Sequence, residues 1–391
     1  FVTGLAENME YVLTPAVIVF FIGSYLGAIM GTPDWFQPIW WLLGYIVFVG
    51  LNIAGVETSF RFTVFITLVA LGILVVFWVS AFPLFDWNRM LLNIGLGPDG
   101  SLVELPEGGG PWLPLGVPGI LYALPFAIWF YLAIEQLPLA AEEAHQPARD
   151  LPKGLVLGIL TLIVCAFLTL FLNSGIAPGA FKIGTSGEPL LDGFRTIFGE
   201  GAGAKILGLV AVAGLVASFH AIIFAYGRNI YSLSRAGYFP KWLSVTHGTR
   251  RTPHVALVTG AALGYLVLIV LYVAGQGDLV GATVLNMAVF GAVIAYFMQT
   301  LSFILLRKNK PGLERPYRSM LGLPGAWAAL VISAVTLVVL FFNDTYRPAV
   351  IWCALWFLAG LVYFGVYARF RMVRSPEEEF AISGRHTESA T

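Results

Sequence analysis

Ten long apolar runs constrain this chain more than any other feature of its sequence. Each run approaches the roughly 20 residues that an α-helix needs to cross the hydrocarbon core of a membrane. A soluble protein would surround a core of this size with charge, but only 11% of the residues are charged and 58% are hydrophobic. The sequence therefore predicts an all-α polytopic membrane protein of about ten transmembrane helices. The runs are residues 11–30, 38–56, 62–84, 119–141, 155–177, 204–232, 254–274, 279–306, 323–342 and 348–367.

Two connectors are longer than the others, and we expect both to be aqueous loops rather than further spans. They are residues 85–118 and 178–203, which are rich in Gly, Pro and acidic residues. We expect residues 1–370 to form the membrane domain and residues 371–391 to form a disordered cytoplasmic tail.

Lys and Arg residues are distributed unevenly when successive connectors are assigned to alternate sides of the membrane. One side receives 17 of the 22, and the other side receives 5. Cytoplasmic loops carry an excess of positive residues. We therefore expect a multi-pass protein of the cell membrane with both ends of this chain in the cytoplasm.

Several functional classes lack a signal in the sequence. The net charge is zero and no basic stretch alternates with aromatic residues, so nucleic-acid binding is not indicated. Cys165 and Cys353 stand alone in apolar runs, which indicates packing rather than metal binding. Neither a His-Glu-x-x-His motif nor a Gly-x-Ser-x-Gly motif is present, so no enzyme, metal or cofactor is predicted. A channel and a sensor that does not transport remain as alternatives to a transporter.

The first run carries acidic residues along one helical stripe. Thr3, Glu7, Glu10 and Thr14 are spaced by four, three and four residues, and Tyr11 lies beside them. A carboxylate at membrane depth persists where it faces a wet cavity or a cation, so Glu10 is a candidate partner for a substrate ammonium group. The alternative is that Glu7 and Glu10 are solvated at the level of the lipid headgroups.

The fourth run is predicted to be a broken helix. Pro138 lacks a backbone donor and clashes with the carbonyl group of Ile134, so the helix must kink or open beside Glu135. Broken helices build binding sites at the membrane midplane in transporters. Trp129 is then a candidate aromatic lid or cation-π partner. The alternatives are a plain proline kink and a packing role for the tryptophan.

The sixth run contains His220, whose imidazole is a candidate for gating or proton relay. The alternative is a neutral histidine bonded to a neighbouring helix. Asn173, Asn286 and Gln299 are candidates for hydrogen bonds between helices.

Two connectors resemble motifs of the amino acid/polyamine/organocation permease superfamily. They are AAEEAHQPARDLPKG at 140–154 and RNIYSLSRAGYFP at 228–240, and RTPH at 251–254 and RPYR at 315–318 fit its later connectors. The resemblance implies a LeuT-like fold of two inverted five-helix repeats plus two helices, with helices one and six unwound around the substrate. By this mapping the first run is helix three, the broken run is helix six, and helices one and two precede Phe1.

Residues 7–16 and 126–135 are most similar to the ethanolamine permease branch. This similarity implies a secondary transporter that imports ethanolamine by alternating access, with an amino acid or polyamine permease as the alternative. The sequence does not indicate whether H⁺ or Na⁺ is the coupling ion. Residues 62–84 contain no ionisable residue, so the lysine that some proton-coupled relatives place in helix five has no counterpart.

The resemblance also implies which residues form the site. In the unwound stretch and inner gate, relatives have Gly, an aromatic or aliphatic residue, and an acidic residue, where this chain has Ala133, Ile134 and Glu135. Trp129 matches an aromatic residue that closes over substrate in relatives. Gln136 departs from the small residue expected at its position. The predicted substrate-binding residues are Glu10, Tyr11, Thr14, Trp129, Ala133, Ile134 and Glu135.

Overall fold

A computed structural model describes residues 1–99, 101–104, 111–274, 280–342 and 347–373. The predicted tail lies outside these residues from position 374 onward. Among the described residues, ten helices are long and apolar enough to cross a membrane, and each matches one predicted run. The predicted all-helical membrane architecture is therefore confirmed. The described residues form twelve α-helices, of which the short α6 and α7 are not among the ten: α1 (Val2–Met30), α2 (Gln37–Ala54), α3 (Val56–Ala81), α4 (Gly116–Trp129), α5 (Pro147–Ser174), α6 (Ala180–Ile183), α7 (Pro189–Phe198), α8 (Ala202–Arg235), α9 (His254–Val273), α10 (Val280–Asn309), α11 (Gly322–Phe342) and α12 (Arg347–Val366).

Helix α1 is the centre of the bundle. It packs against α10, α8, α2 and α9, and it is the most buried of the ten spanning helices, whereas α5 is mostly exposed. The helix begins nine residues before the predicted run, because the polar residues at its start pack inside the bundle instead of forming a connector. At about 1.5 Å per residue, Glu10 lies roughly 12 Å along the helix from Val2.

The fourth spanning segment is not a continuous helix. Helix α4 ends at Trp129, and a 3₁₀ helix runs from Ile134 to Glu143 after a turn, so the predicted break is confirmed. This second half, which we call the inner segment (Ile134–Glu143), packs on α5.

The two long connectors carry local structure that the sequence patterns do not predict. The first contains a pair of antiparallel strands, β1 (Ile94–Leu96) and β2 (Leu102–Glu104). The second contains α6 and α7, and α7 buries Leu191 and Phe194 against the bundle. The described residues of the two connectors add no further spanning helix.

The first and last described residues lie at the same end of the bundle. The ring of Phe1 stacks on that of Phe364 at 4.5 Å, and the backbone nitrogen of Val373 donates to the carbonyl oxygen of Ala236. Phe1 and Val373 thus lie on one face of the bundle, which agrees with an even number of membrane crossings between them.

Candidate functional site

The helix break is centred on Ala133, which has φ +69° and ψ 9°. A residue with a Cβ in this left-handed conformation costs about 1–2 kcal/mol relative to the right-handed one. Pro138 lies within the inner segment and cannot donate a backbone hydrogen bond. The left-handed turn at Ala133 redirects the chain after α4, so Glu135 is carried by a separate short helix.

Two tyrosines from different helices bind Glu135. Tyr296 of α10 donates to Oε2 at 2.7 Å, and Tyr11 of α1 makes a longer contact of 3.5 Å with Oε1. Each phenol is a donor to the carboxylate, and donors of this kind stabilise its ionised form. The break therefore directs Glu135 toward the interface between α1 and α10.

Glu10 faces the same interface and is completely buried, at 0% exposure. No donor among the described residues bonds either of its carboxyl oxygens. Helix α10 approaches α1 closely here, because a Cβ placed on Gly291 would lie 2.6 Å from the carbonyl oxygen of Ala6 and 2.9 Å from the nitrogen of Glu10. The structure thus encloses Glu10 between two tightly packed helices without supplying a partner for its charge.

Two further side chains of α1 extend the polar stripe. Gln299 of α10 donates to Glu7 Oε1 at 2.5 Å, so this carboxylate has a partner. Thr14 is buried, and its hydroxyl group bonds no group among the described residues. The stripe predicted from residue spacing therefore faces α10, and its two most buried polar groups are unpaired.

The other predicted residues lie at the break but differ in what they contact. Trp129 is the last residue of α4 and packs, partly buried, against the main core. Ile134 begins the inner segment, and its side chain lies over Gly158 of α5. The side chain of Ile134 therefore packs toward α5, and its predicted role in substrate binding stays a prediction.

His220 occupies a separate position between α8, α2 and α3. Asn52 Nδ2 lies 3.0 Å from Nδ1, and Ser59 Oγ lies 2.8 Å from Nε2. The Asn52 nitrogen also donates to the carbonyl oxygen of Phe48, so it acts as the donor and Nδ1 accepts. Both ring nitrogens are thus engaged by neighbouring helices, which favours the packing alternative; the gating or relay role stays a prediction.

Tyr296 is the main site residue that sequence reasoning missed. It lies three residues before Gln299 on the same face of α10, so two polar side chains at helical spacing in an apolar helix were the available signal. Gln136, which departs from the small residue expected at its position, has a buried side-chain oxygen without a partner among the described residues.

The end of the inner segment is tied to α8. Arg228 of α8 forms an ion pair with Glu142 at 3.0 Å and another with Glu143. Arg228 also lies over the ring of Phe224 at 4.8 Å. The two connectors that carry the sequence motifs therefore meet at this end of the bundle.

The model of the amino acid permease family matches residues 1–366. The chain belongs to this family. The match covers every spanning helix of the permease, so the site between α1, the inner segment and α10 lies wholly within the family domain.

Curated relatives of the permease are named as transporters. An uncharacterized transporter of Rhizobium meliloti (strain 1021) is 29% identical over 80% of this chain, which spans 63% of that relative's length. A branched-chain amino acid permease of Bacillus subtilis (strain 168) is 23% identical over 93% of this chain and 77% of its own length. A D-serine/D-alanine/glycine transporter of Escherichia coli (strain K12) is 24% identical over 67% of this chain and 56% of its own length. Their names are those of permeases and transporters rather than enzymes.

Proposed function

We propose that this protein is a secondary transporter that imports a small primary amine, ethanolamine, across the cell membrane. The observation that carries the proposal is the carboxylate pair formed by the buried Glu10 and the half-buried Glu135 beside a helix break. Buried carboxylates in a membrane mark sites for cations or protons, because an unpaired charge is costly there. An ammonium group supplies both the charge and the donors that Glu10 lacks.

The chemistry of ethanolamine fits the remaining groups of the site. Its ammonium group suits the two carboxylates, and its hydroxyl group suits Thr14, whose own hydroxyl group is buried and unpaired among the described residues. Ethanolamine has no carboxylate that would need a cationic or backbone cradle. The similarity of residues 7–16 and 126–135 to the ethanolamine permease branch supports the same substrate.

A small amino acid is the second candidate, and the names of the relatives favour it. Its ammonium group would use the same carboxylates. Its carboxylate would need donors, which free backbone nitrogens at a helix break supply. A polyamine would use the acidic groups alone.

Alternating access is the proposed route. Glu10 has no exposed surface, so substrate enters and leaves only when the helices around it separate. We place the moving part at the inner segment, which carries Glu135 and is joined to α4 through the strained turn at Ala133. Trp129 would close over the solute, the LeuT-like repeat would supply the rocking motion, and H⁺ or Na⁺ would be the coupling ion. The face that carries Phe1 and Val373 is proposed to be cytoplasmic.

Uptake into proteoliposomes tests this proposal. We expect the purified protein to accumulate labelled ethanolamine, and excess unlabelled ethanolamine to compete while leucine, serine and putrescine do not. Uptake of an amino acid with no ethanolamine flux would contradict the substrate and support the second candidate. Binding of ethanolamine without flux would indicate a sensor and contradict transport.

A further inference from the structure

Glu10 has no compensating partner among the described residues. Glu10 is completely buried, and none of the described residues donates a hydrogen bond to either oxygen. An isolated carboxylate in such surroundings is several kcal/mol less stable than in water unless it gains a cation or a proton. Before substrate arrives, either a cation or a proton must therefore accompany Glu10.

The groups that face Glu10 are acidic or neutral. They are Glu7 on the same helix, Glu135 on the inner segment and the phenols of Tyr11 and Tyr296. From α8, the titratable His220 is engaged by Asn52 and Ser59 instead. No cationic side chain belongs to this set, so the described residues leave the position of the cation to a proton or to substrate.

Tyr11, the neighbour of Glu10 on α1, contacts Glu135 Oε1 at 3.5 Å, so the two carboxyl groups lie at one interface. Two ionised carboxylates there repel each other and cannot share a hydrogen bond, because each is only an acceptor. A single proton makes the approach favourable by turning one member into a donor, as in carboxylate pairs that share a site.

The partners of the two groups indicate which one carries the proton. Glu135 accepts from Tyr296 and contacts Tyr11, so donors stabilise its ionised form. Glu10 has no such donor and is more deeply buried. The proton therefore belongs on Glu10, and the negative charge belongs on Glu135.

We propose that the Glu10–Glu135 pair holds one proton in the absence of substrate and that an entering ammonium group displaces this proton. One carboxylic acid, one carboxylate and one ammonium ion become two carboxylates, a bound ammonium ion and a released proton. Charge balances, and the O–H bond of Glu10 is the only covalent bond that breaks. This inference rests on the proposed function, since it requires an ammonium-bearing solute at this site.

A pH dependence follows from the competition between proton and ammonium. Where the pair holds its proton, each unit of decrease in pH should raise the apparent Kd of ethanolamine about tenfold. Above that range the proton is already lost, and the Kd should become independent of pH.

Titration calorimetry of ethanolamine into the purified protein in lipid nanodiscs tests the exchange. Near neutral pH, two buffers that differ in ionisation enthalpy report the number of protons released. We expect about one proton per ammonium in the native protein and none in Glu10→Gln, which still binds through Glu135. The matched control is Glu57→Gln, because Glu57 is exposed and pairs only with Arg61 among the described residues; it should release the same proton as the native protein.

The outcomes separate the two proposals. Binding without proton release, or release that persists in Glu10→Gln, would overturn the exchange and leave the transport proposal intact. Absence of binding by ethanolamine and by amino acids would overturn both. The pH dependence of the native protein provides a second measurement that does not depend on whether Glu10→Gln folds.

Discussion

Tyr296 gives the site its shortest contact with Glu135, and its removal is the sharpest single-atom test of that contact. Tyr296→Phe deletes the hydroxyl group that donates to Oε2 at 2.7 Å and leaves the ring in place. A hydrogen bond to a charged group contributes about 1.5–3 kcal/mol, so we expect ethanolamine affinity to fall by roughly tenfold or more.

The control is Tyr272→Phe, because Tyr272 bonds only a backbone carbonyl oxygen, that of Asp34, at the exposed end of α9. Equilibrium binding of labelled ethanolamine compares the two variants. Equal affinity in both would show that Tyr296 does not position Glu135 for substrate.

His220 allows a test between a structural role and a relay. His220→Ala removes the buried ring and the hydrogen bonds that it makes with Asn52 and Ser59. We expect the loss of each hydrogen bond to cost about 0.5–1.5 kcal/mol of folding free energy. Thermal unfolding should detect the loss, while the Kd of ethanolamine stays within about twofold, well under the tenfold that 1.4 kcal/mol represents. Unchanged unfolding with abolished flux would instead support the predicted relay or gate.

Residue spacing predicted the polar stripe of α1, and the structure brings Glu10, Tyr11 and Glu135 to one interface. The stripe and Pro138 are local patterns, so they are visible in a sequence. The pairing of Tyr296 with Glu135 depends on how α10 lies against the break, which no local pattern encodes. The engagement of His220 by two other helices is hidden for the same reason.

At the scale of the element, Ala133 determines the geometry of the break. Because its φ is +69°, glycine should relieve about 1–2 kcal/mol of strain, whereas the branched side chain of valine should add to it. We expect Ala133→Gly to keep ethanolamine uptake near the native level and Ala133→Val to reduce it severalfold. Flux measured in matched proteoliposomes checks this order, and a reversed order would contradict a break built on a left-handed residue.

Helix existence was more predictable than helix boundaries. Ten apolar runs identify ten spans because each must satisfy its backbone hydrogen bonds in lipid. Their ends are set by tertiary packing, which is why α1 begins at Val2 and buries Glu10. The short strands β1 and β2 lie in a polar connector, where no alternation of apolar and polar residues indicates a strand.

At the scale of the whole molecule, the orientation inferred from Lys and Arg can be checked directly. Cys165 and Cys353 are first replaced by serine, and a cysteine is then placed at Gly201, between α7 and α8, or at Gly312, between α10 and α11. An added Cβ meets nothing within 4 Å at either glycine. We expect a membrane-impermeant maleimide to label Gly201→Cys in intact cells and Gly312→Cys only after permeabilisation. The opposite pattern would invert the proposed topology.

In the proposed mechanism a small amine crosses the membrane past Glu135. Uptake by variants of this residue is the most direct test of that passage. Glu135→Gln keeps the shape of the side chain and removes the charge that an ammonium group requires. Initial uptake of labelled ethanolamine into proteoliposomes should fall at least tenfold in Glu135→Gln and Trp129→Ala, and it should be unchanged in Glu57→Gln. Native uptake rates in a correctly folded Glu135→Gln protein would contradict a role for the Glu135 charge in amine transport.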